Sequence, residues 1–246
     1  MGPPAVDLNE RIRIADAGDV VDPDGSAGEA RVISRVRELA DATDLVIALG
    51  GDNSLTYPVA LGAEATGLIT FDAHFDLRDG VSNGTPVRRL VEDDPAATAL
   101  ATTRIDPTRI VQIGIADFAN SAAYARRAAD WGIRVITLDE LRRRGIDDVT
   151  EEALETAGSG ADPRIHLDID VDVCDRSVAP GCPASVPGGL QAWELRALTR
   201  AVAADPRVVS ADLAEVDATA DAEDARTVRL AALCVLELLA GLVSRR

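Results

Sequence analysis

Short apolar runs recur along the chain at Leu45–Leu49, Leu68–Phe71, Ile110–Ile115, Val135–Leu138, Ile165–Asp170 and Val208–Leu213. Each is rich in Val, Ile or Leu and is bounded by Gly, Pro or Asp, the pattern of strands buried on both faces of a parallel sheet. Helical patterns fall between them at Leu55–Gly62, Val87–Leu100, Ser121–Trp131, Asp147–Ala157 and Ala192–Ala204. One more precedes the first run, from about Ala27 to Ala42, and a last one, Ala225–Val243, closes the chain. The first 26 residues carry Pro3, Pro4, Pro23, Gly18 and Gly25 among scattered acids and read as largely irregular. The βαβ rhythm is never broken by a linker-like stretch. It predicts one α/β domain over residues 1–246, a three-layer α/β/α arrangement around a mainly parallel sheet.

Composition narrows the function. Nearly half of the residues are apolar, which a disordered chain would not carry. The formal charge is 25 − 42 = −17, and the chain contains no lysine. So acidic a surface argues against nucleic acid and against an anionic membrane as partners. An anionic substrate would need specific arginines to overcome the field around the site. Cys174, Cys182 and Cys234 lack CxxC spacing and read as free thiols of a reducing compartment. No signal-peptide pattern opens the chain, and no apolar run reads as long and clean enough to span a bilayer, so a cytoplasmic location is expected.

Polar residues collect where the apolar runs end, the place where open α/β sheets bind ligands. Asp72, His74 and Asp76 follow the run Leu68–Phe71 at alternate positions, which in an extended chain share one face. Two carboxylates and an imidazole so placed form half of a divalent metal site. A solvated turn capping the next helix would use the same residue types. Asp168, Asp170 and Asp172 repeat the spacing at the end of Ile165–Asp170. Three like charges there repel unless protons or cations neutralise them, and metal binding is the natural relief. Only Asp170 and Asp172, nearest the strand end, need be ligands; Asp168 lies deeper. The segment Gly50-Gly51-Asp52-Asn53-Ser54 marks a tight turn after Leu45–Leu49, and Asp212 through Asp217 places acids at another strand end. A long loop dense in Pro and Gly, from Val178 to Leu190, has the composition of an active-site wall.

In this order the segments resemble the ureohydrolase superfamily, which includes arginase, agmatinase and formimidoylglutamase. The match runs from about Leu45 to Asp217. In that family a GGDHS turn, a DAHxD segment, a DxDxxDxxxAPG segment and a late acidic segment surround two manganese ions. Their counterparts are Gly50 to Ser54, Asp72 to Asp76, Asp170 to Gly181, and Glu215. The resemblance implies an arginase-like fold and two Mn2+ ions bridged by Asp72 and Asp170. Asp76 would serve the first ion, and His74 and Asp172 the second. A metal-held hydroxide would attack the amidine carbon. Glu215 would hold the cationic amidine, and Asp76 would carry a proton to the leaving nitrogen.

Within the family, Asp72 through Arg78 and Ser82-Asn83-Gly84-Thr85-Pro86 look like the formimidoylglutamase branch. The implied reaction converts N-formimidoyl-L-glutamate and water into L-glutamate and formamide, a step of histidine metabolism. Asn83, Arg78 and Arg88 are then candidates for binding its two carboxylates or its amidine, although exposed helix arginines would explain Arg88 and Arg89 equally well. Asn53 departs from the family, since it stands where a first-metal histidine is usual. A neutral amide oxygen is a weaker ligand, which makes Asn53 a weak or absent one and the first site a weak one. Asn83 likewise replaces a histidine. The alternatives are a ureohydrolase that releases urea from agmatine, arginine or a guanidino acid, and a non-catalytic metal-binding relative. The resemblance further implies a homo-oligomer acting on a small amidine.

Overall fold

Each of the six apolar runs becomes a strand of a single sheet. The strands are β1 (Val46–Leu49), β2 (Gly67–Phe71), β3 (Ile110–Ile115), β4 (Arg134–Thr137), β5 (Ile165–Asp170) and β6 (Val208–Ala214). The computed structural model describes residues 7–92 and 104–245. Its helices are α1 (Leu8–Arg11), α2 (Gly25–Ala40), α3 (Thr56–Gly62), α4 (Pro86–Val91), α5 (Ala122–Trp131), α6 (Leu138–Arg144), α7 (Ile146–Ala157), α8 (Ala192–Ala203) and α9 (Arg226–Ser244).

The strand order is β1-β6-β5-β2-β3-β4, and every pairing is parallel. From the central pair the chain leaves in opposite directions, β2 towards β3 and β4, β5 towards β6. The carboxyl ends of β2 and β5 therefore flank a topological switch point.

The two faces of the sheet differ. One face is wholly apolar at its centre: Ile69, Phe71, Ile113, Leu167 and Ile169 pack with Ala153 of α7, Leu195 and Leu198 of α8, and Leu238 of α9. Each such side chain contributes roughly 1.5–3 kcal/mol by leaving water. The other face meets α3, α4 and α5 through Leu68, Ile110, Leu61, Leu90 and Ala128. Across its middle it carries a buried polar band: Thr70, Gln112, His166, Asp168, Ser210 and Asp212. In register, Thr70 lies beside Gln112 and Asp168, and Asp168 beside Asp212.

Several expectations are revised. The helix expected over Val87–Leu100 begins at Pro86 and runs to Val91, where Glu92 turns extended; residues 93–100 lie outside the described part. Leu138 does not end β4 but starts α6, because the Thr137 hydroxyl accepts a hydrogen bond from the Glu140 amide at 3.2 Å and caps that helix. The pattern Thr-x-x-Glu was the available signal. Helix α9 is long and apolar enough by composition to cross a bilayer, contrary to the sequence reading. It nevertheless packs along α8, burying Leu230, Cys234 and Leu238, and its buried Glu237 is paired with Arg196 and Arg200. Arg89 is no surface charge: it is 3% exposed and binds both Glu29 oxygens, at 2.7 and 2.9 Å.

Gly114 of β3 lies where the turn after β5 comes close. Its φ is +103°, and a Cβ there would meet Val173 Cγ2 at 2.3 Å, in the turn that follows β5. We expect Gly114→Ala to lower unfolding free energy by about 2–4 kcal/mol, through backbone strain and overpacking together, measured by chemical denaturation.

Candidate active site

Asp72 and Asp170 leave the ends of β2 and β5, on either side of the switch point. Neither metal-type segment continues as extended chain, so strict alternation of side chains is not what gathers the ligands. Asp72 Oδ1 accepts from the His74 amide at 2.6 Å and folds the segment into a turn. Asp170 Oδ1 accepts from the Asp172 amide at 2.8 Å and caps a short 3-10 turn, Val171–Val173. The two turns then lock together. Asp172 Oδ1 accepts from the Ala73 amide at 3.0 Å, and its Oδ2 lies 2.7 Å from His74 Nδ1. His74 Nδ1 is also 3.5 Å from Asp72 Oδ1. One ligand atom from each of Asp72, His74 and Asp172 lies within 4.8 Å of the others.

Asp76 and Glu215 adjoin this trio, and both adopt the left-handed backbone region, at φ 51° and 64°. Such strain in bulky acidic residues is characteristic of functional sites. Asn53 links them: its backbone amide donates to Glu215 Oε1 at 3.0 Å, and its Nδ2 donates to Asp76 Oδ2 at 2.7 Å. Asn53 Oδ1 accepts from the Thr56 hydroxyl at 3.0 Å. In this orientation Asn53 turns its NH2 group, not its oxygen, towards Asp76. Asn83 Nδ2 donates to Glu215 Oε1 at 3.2 Å, so two amides hold the same carboxylate oxygen.

Burial sets the electrostatics. Asp72 and Asp170 are pushed well above the usual carboxylate range, first by burial, then by Asp76 for Asp72 and by Asp172 for Asp170. Burial also raises Asp76 to about 7, against the opposing hydrogen bond from Asn53. His74 rises to about 10, chiefly through its hydrogen bond to Asp172. Asp72 Oδ2 is buried without a partner. An acidic, oxygen-rich cluster with one imidazole and an unsatisfied carboxylate oxygen fits a divalent cation.

Asp168 belongs below the cluster. Its two oxygens are buried without donors, and burial followed by Asp212 pushes its pKa up. Asp212 in turn lies 3.0 Å from His166 Nε2, whose ring is wholly buried and bonded to Ser210 at 2.8 Å. Burial raises the Cys182 thiol to about 12, so this cysteine is protonated at neutral pH.

A cleft of about 410 Å3 opens beside the cluster, lined by His74, Asp76, Arg78, Ala119, Asn120, Ser121 and Tyr124. A neighbouring hollow of about 620 Å3 shares Asn120 and Ser121 but lies between α5 and β4, away from the carboxylates. Arg78 takes its expected place at the cleft. Arg88 does not: its Nε donates to Arg78 O at 2.7 Å, Nη2 to Gly80 O, and Nη1 to Glu92 at 2.8 Å. It braces the loop that carries Arg78, because its donors are already engaged. The loop after β3 was missed by the sequence reading. Asn120 accepts from the Phe75 amide at 3.1 Å and donates to Ala73 O at 2.8 Å, holding the His74 turn from outside. Its signal was position alone, since it follows a strand's carboxyl end without an acidic residue in a recognisable motif.

Comparison with known proteins agrees with this architecture. The arginase family model matches residues 3–241. The chain belongs to the arginase family. It is 37% identical over 213 residues to the formimidoylglutamase of Bacillus subtilis, covering 83% of this chain and 63% of that protein. The crystal structure of formimidoylglutamase from that species superposes with a TM-score of 0.80 at 33% identity, over 92% of this chain and 70% of that one. The guanidinopropionase of Pseudomonas aeruginosa is 33% identical, over 93% of this chain and 71% of its own length. A Trypanosoma cruzi formiminoglutamase solved with Mn2+ superposes with a TM-score of 0.79 at 26% identity, over 94% of this chain and 76% of that one. The chain thus spans less than two thirds of the Bacillus subtilis relative's length and about 71–76% of the other two chains.

The raised pKa values carry a sign. Asp76 rises from 3.8 to about 7 and His74 from 6.5 to about 10, so the folded metal-free protein holds protons that the unfolded chain releases. Their stabilisation is complete below the unfolded values and is lost as pH rises through the folded ones. Without metal, Tm should fall between pH 6 and pH 9. Saturating Mn2+ should flatten that fall and release protons on binding, read by calorimetry in buffers of different ionisation enthalpy.

Proposed function

We propose that the chain hydrolyses the C–N bond of a linear amidine, taking N-formimidoyl-L-glutamate and water to L-glutamate and formamide. The observation that carries this reading is the Asp72–His74–Asp172 cluster at the switch point, opening directly onto a cleft with Arg78 on its wall. The similarity to formimidoylglutamases supports the substrate.

Two Mn2+ ions would be held, the first by Asp76 and the second by His74 and Asp172, with Asp72 and Asp170 shared. Bound there, they would supply a water activated at neutral pH and a polarised amidine. Burial of the acids keeps their negative charge in a low-dielectric setting, where attraction for a divalent ion is strong. Glu215, with Oε1 held by Asn53 and Asn83, presents its other oxygen to the amidinium. Asp76, whose Oδ2 is held by Asn53, would accept the proton given up by the attacking water. It passes that proton to the leaving nitrogen. Asn53 contributes by fixing the rotamers of both acids.

Manganese-loaded protein should release formamide and glutamate from N-formimidoyl-L-glutamate and no urea from arginine or agmatine. Asp72→Asn and Asp170→Asn should each abolish turnover, and Glu215→Gln should lower kcat/KM by about 10²–10³-fold. Urea from 3-guanidinopropionate as the dominant product would replace this substrate with the one suggested by the guanidinopropionase relative. Full turnover by Asp72→Asn would overturn the site.

A further inference from the structure

Tyr124 lines the cleft that His74 and Asp76 also line. It sits in the first turn of α5, with its amide bonded to Ser121 O at 3.0 Å. Its ring packs against the cluster that contains Phe75 and Leu77, which fixes its direction. Among the described residues, its hydroxyl has no hydrogen-bond partner, and it lines the same cavity as His74, Asp76 and Arg78.

Arg78 is the one arginine lining that cavity. Its guanidinium makes no ion pair among the described residues, whereas Arg88 and Arg127 are engaged. Its side chain lies across Gly84: a Cβ on Gly84 would come within 2.8 Å of Arg78 Cδ and 2.9 Å of its Nε. The glycine thus lets the arginine lie flat on the loop. That loop is tied to α5, because Arg127 Nη1 donates to Leu77 O at 2.6 Å and pairs with Asp79 at 2.9 Å. Tyr124 and Arg127 lie three residues apart on one helix and so share a face, which fixes Tyr124 relative to the Arg78 segment. The start of α5 adds the positive end of a helix dipole to the same cleft.

A phenol without a hydrogen-bond partner, an arginine whose charge also acts on Asp76, and a helix start line the same cleft and offer it the donors an anion needs. We propose that Tyr124 is a specificity-determining residue, its hydroxyl donating to a carboxylate of the substrate that Arg78 attracts. The inference rests on the amidine-hydrolase reading and gives that site its preference for carboxylate-bearing amidines. Neither Tyr124 nor Arg78 reaches the reacting carbon in this scheme, so the effect falls on binding.

The experiment compares manganese-loaded wild type with Tyr124→Phe, which keeps the ring and removes only the hydroxyl. Substrates are N-formimidoyl-L-glutamate, N-formimidoyl-L-norvaline, which lacks the distal carboxylate, and 4-formimidoylaminobutyrate, which lacks the one beside the amidine. Loss of a hydrogen bond to a charged group should raise KM for the dicarboxylate about tenfold or more, with kcat within about twofold. The variant's penalty should shrink below about threefold on one analogue, identifying the carboxylate that Tyr124 holds. An equal penalty on all three substrates, or none on any, overturns the proposal. Calorimetric binding of L-glutamate to both proteins needs no turnover. Inactive wild type that binds L-glutamate about tenfold more tightly than Tyr124→Phe would sink the hydrolase reading and keep the subsite. Active wild type with equal affinities would do the reverse.

Discussion

Everything around the site answers to one constraint: several carboxylates are buried together with hardly a fixed positive charge among them. Asp72, Asp168, Asp170, Asp172 and Asp212 are each at most 3% exposed, and the single imidazole in direct reach of the upper group is His74. In water such a cluster would simply be solvated. Here it must be neutralised by protons, by backbone amides or by cations, and the structure uses a different device at each depth. The amides of Ala73, His74 and Asp172 serve the top. His166, bonded to Asp212, serves the bottom. What remains uncompensated between them is charge that suits a divalent cation.

The same constraint explains the asymmetry of the sheet. A parallel sheet of this type usually buries two apolar faces. In this protein one face is apolar and the other carries the polar band from Ser210 to Asp72. Periodicity could not expose that division. Runs such as Ile165–Asp170 contain both faces, and a run with His166 and Asp168 inside it still reads as a buried strand.

The fold and the ligand-bearing segments were legible because they are local. All six strands were visible as runs of Val, Ile and Leu, and the acidic segments lay at their ends. Three things were not legible, and each depends on contacts between distant segments. Asn53 reads as a degraded ligand, yet its bonds to Asp76 and Glu215 make it a strut between residues 23 and 162 positions away. Arg88 and Arg89 look like neighbouring surface charges, yet one braces the Arg78 loop and the other is buried against Glu29. Asn120 and Tyr124 carry no motif; only the pairing of β3 with β2 brings the loop after β3 and the start of α5 to the site. The candidate ligands themselves are gathered by turns closed by Asp72 and Asp170, in place of the alternation of an extended strand.

The central pairing of β2 with β5 has a kinetic meaning. It joins segments 98 and 99 residues apart, as the contacts of Asp172 with His74 and Ala73 record. Closing so long a loop is slow and is rewarded only late in folding. In this chain the closure also drives like charges together, so this pairing is opposed by the very groups that define the site. A divalent cation present during synthesis would reverse the sign of that opposition. The ion would then favour the joining of β2 to β5 as well as the chemistry of the site.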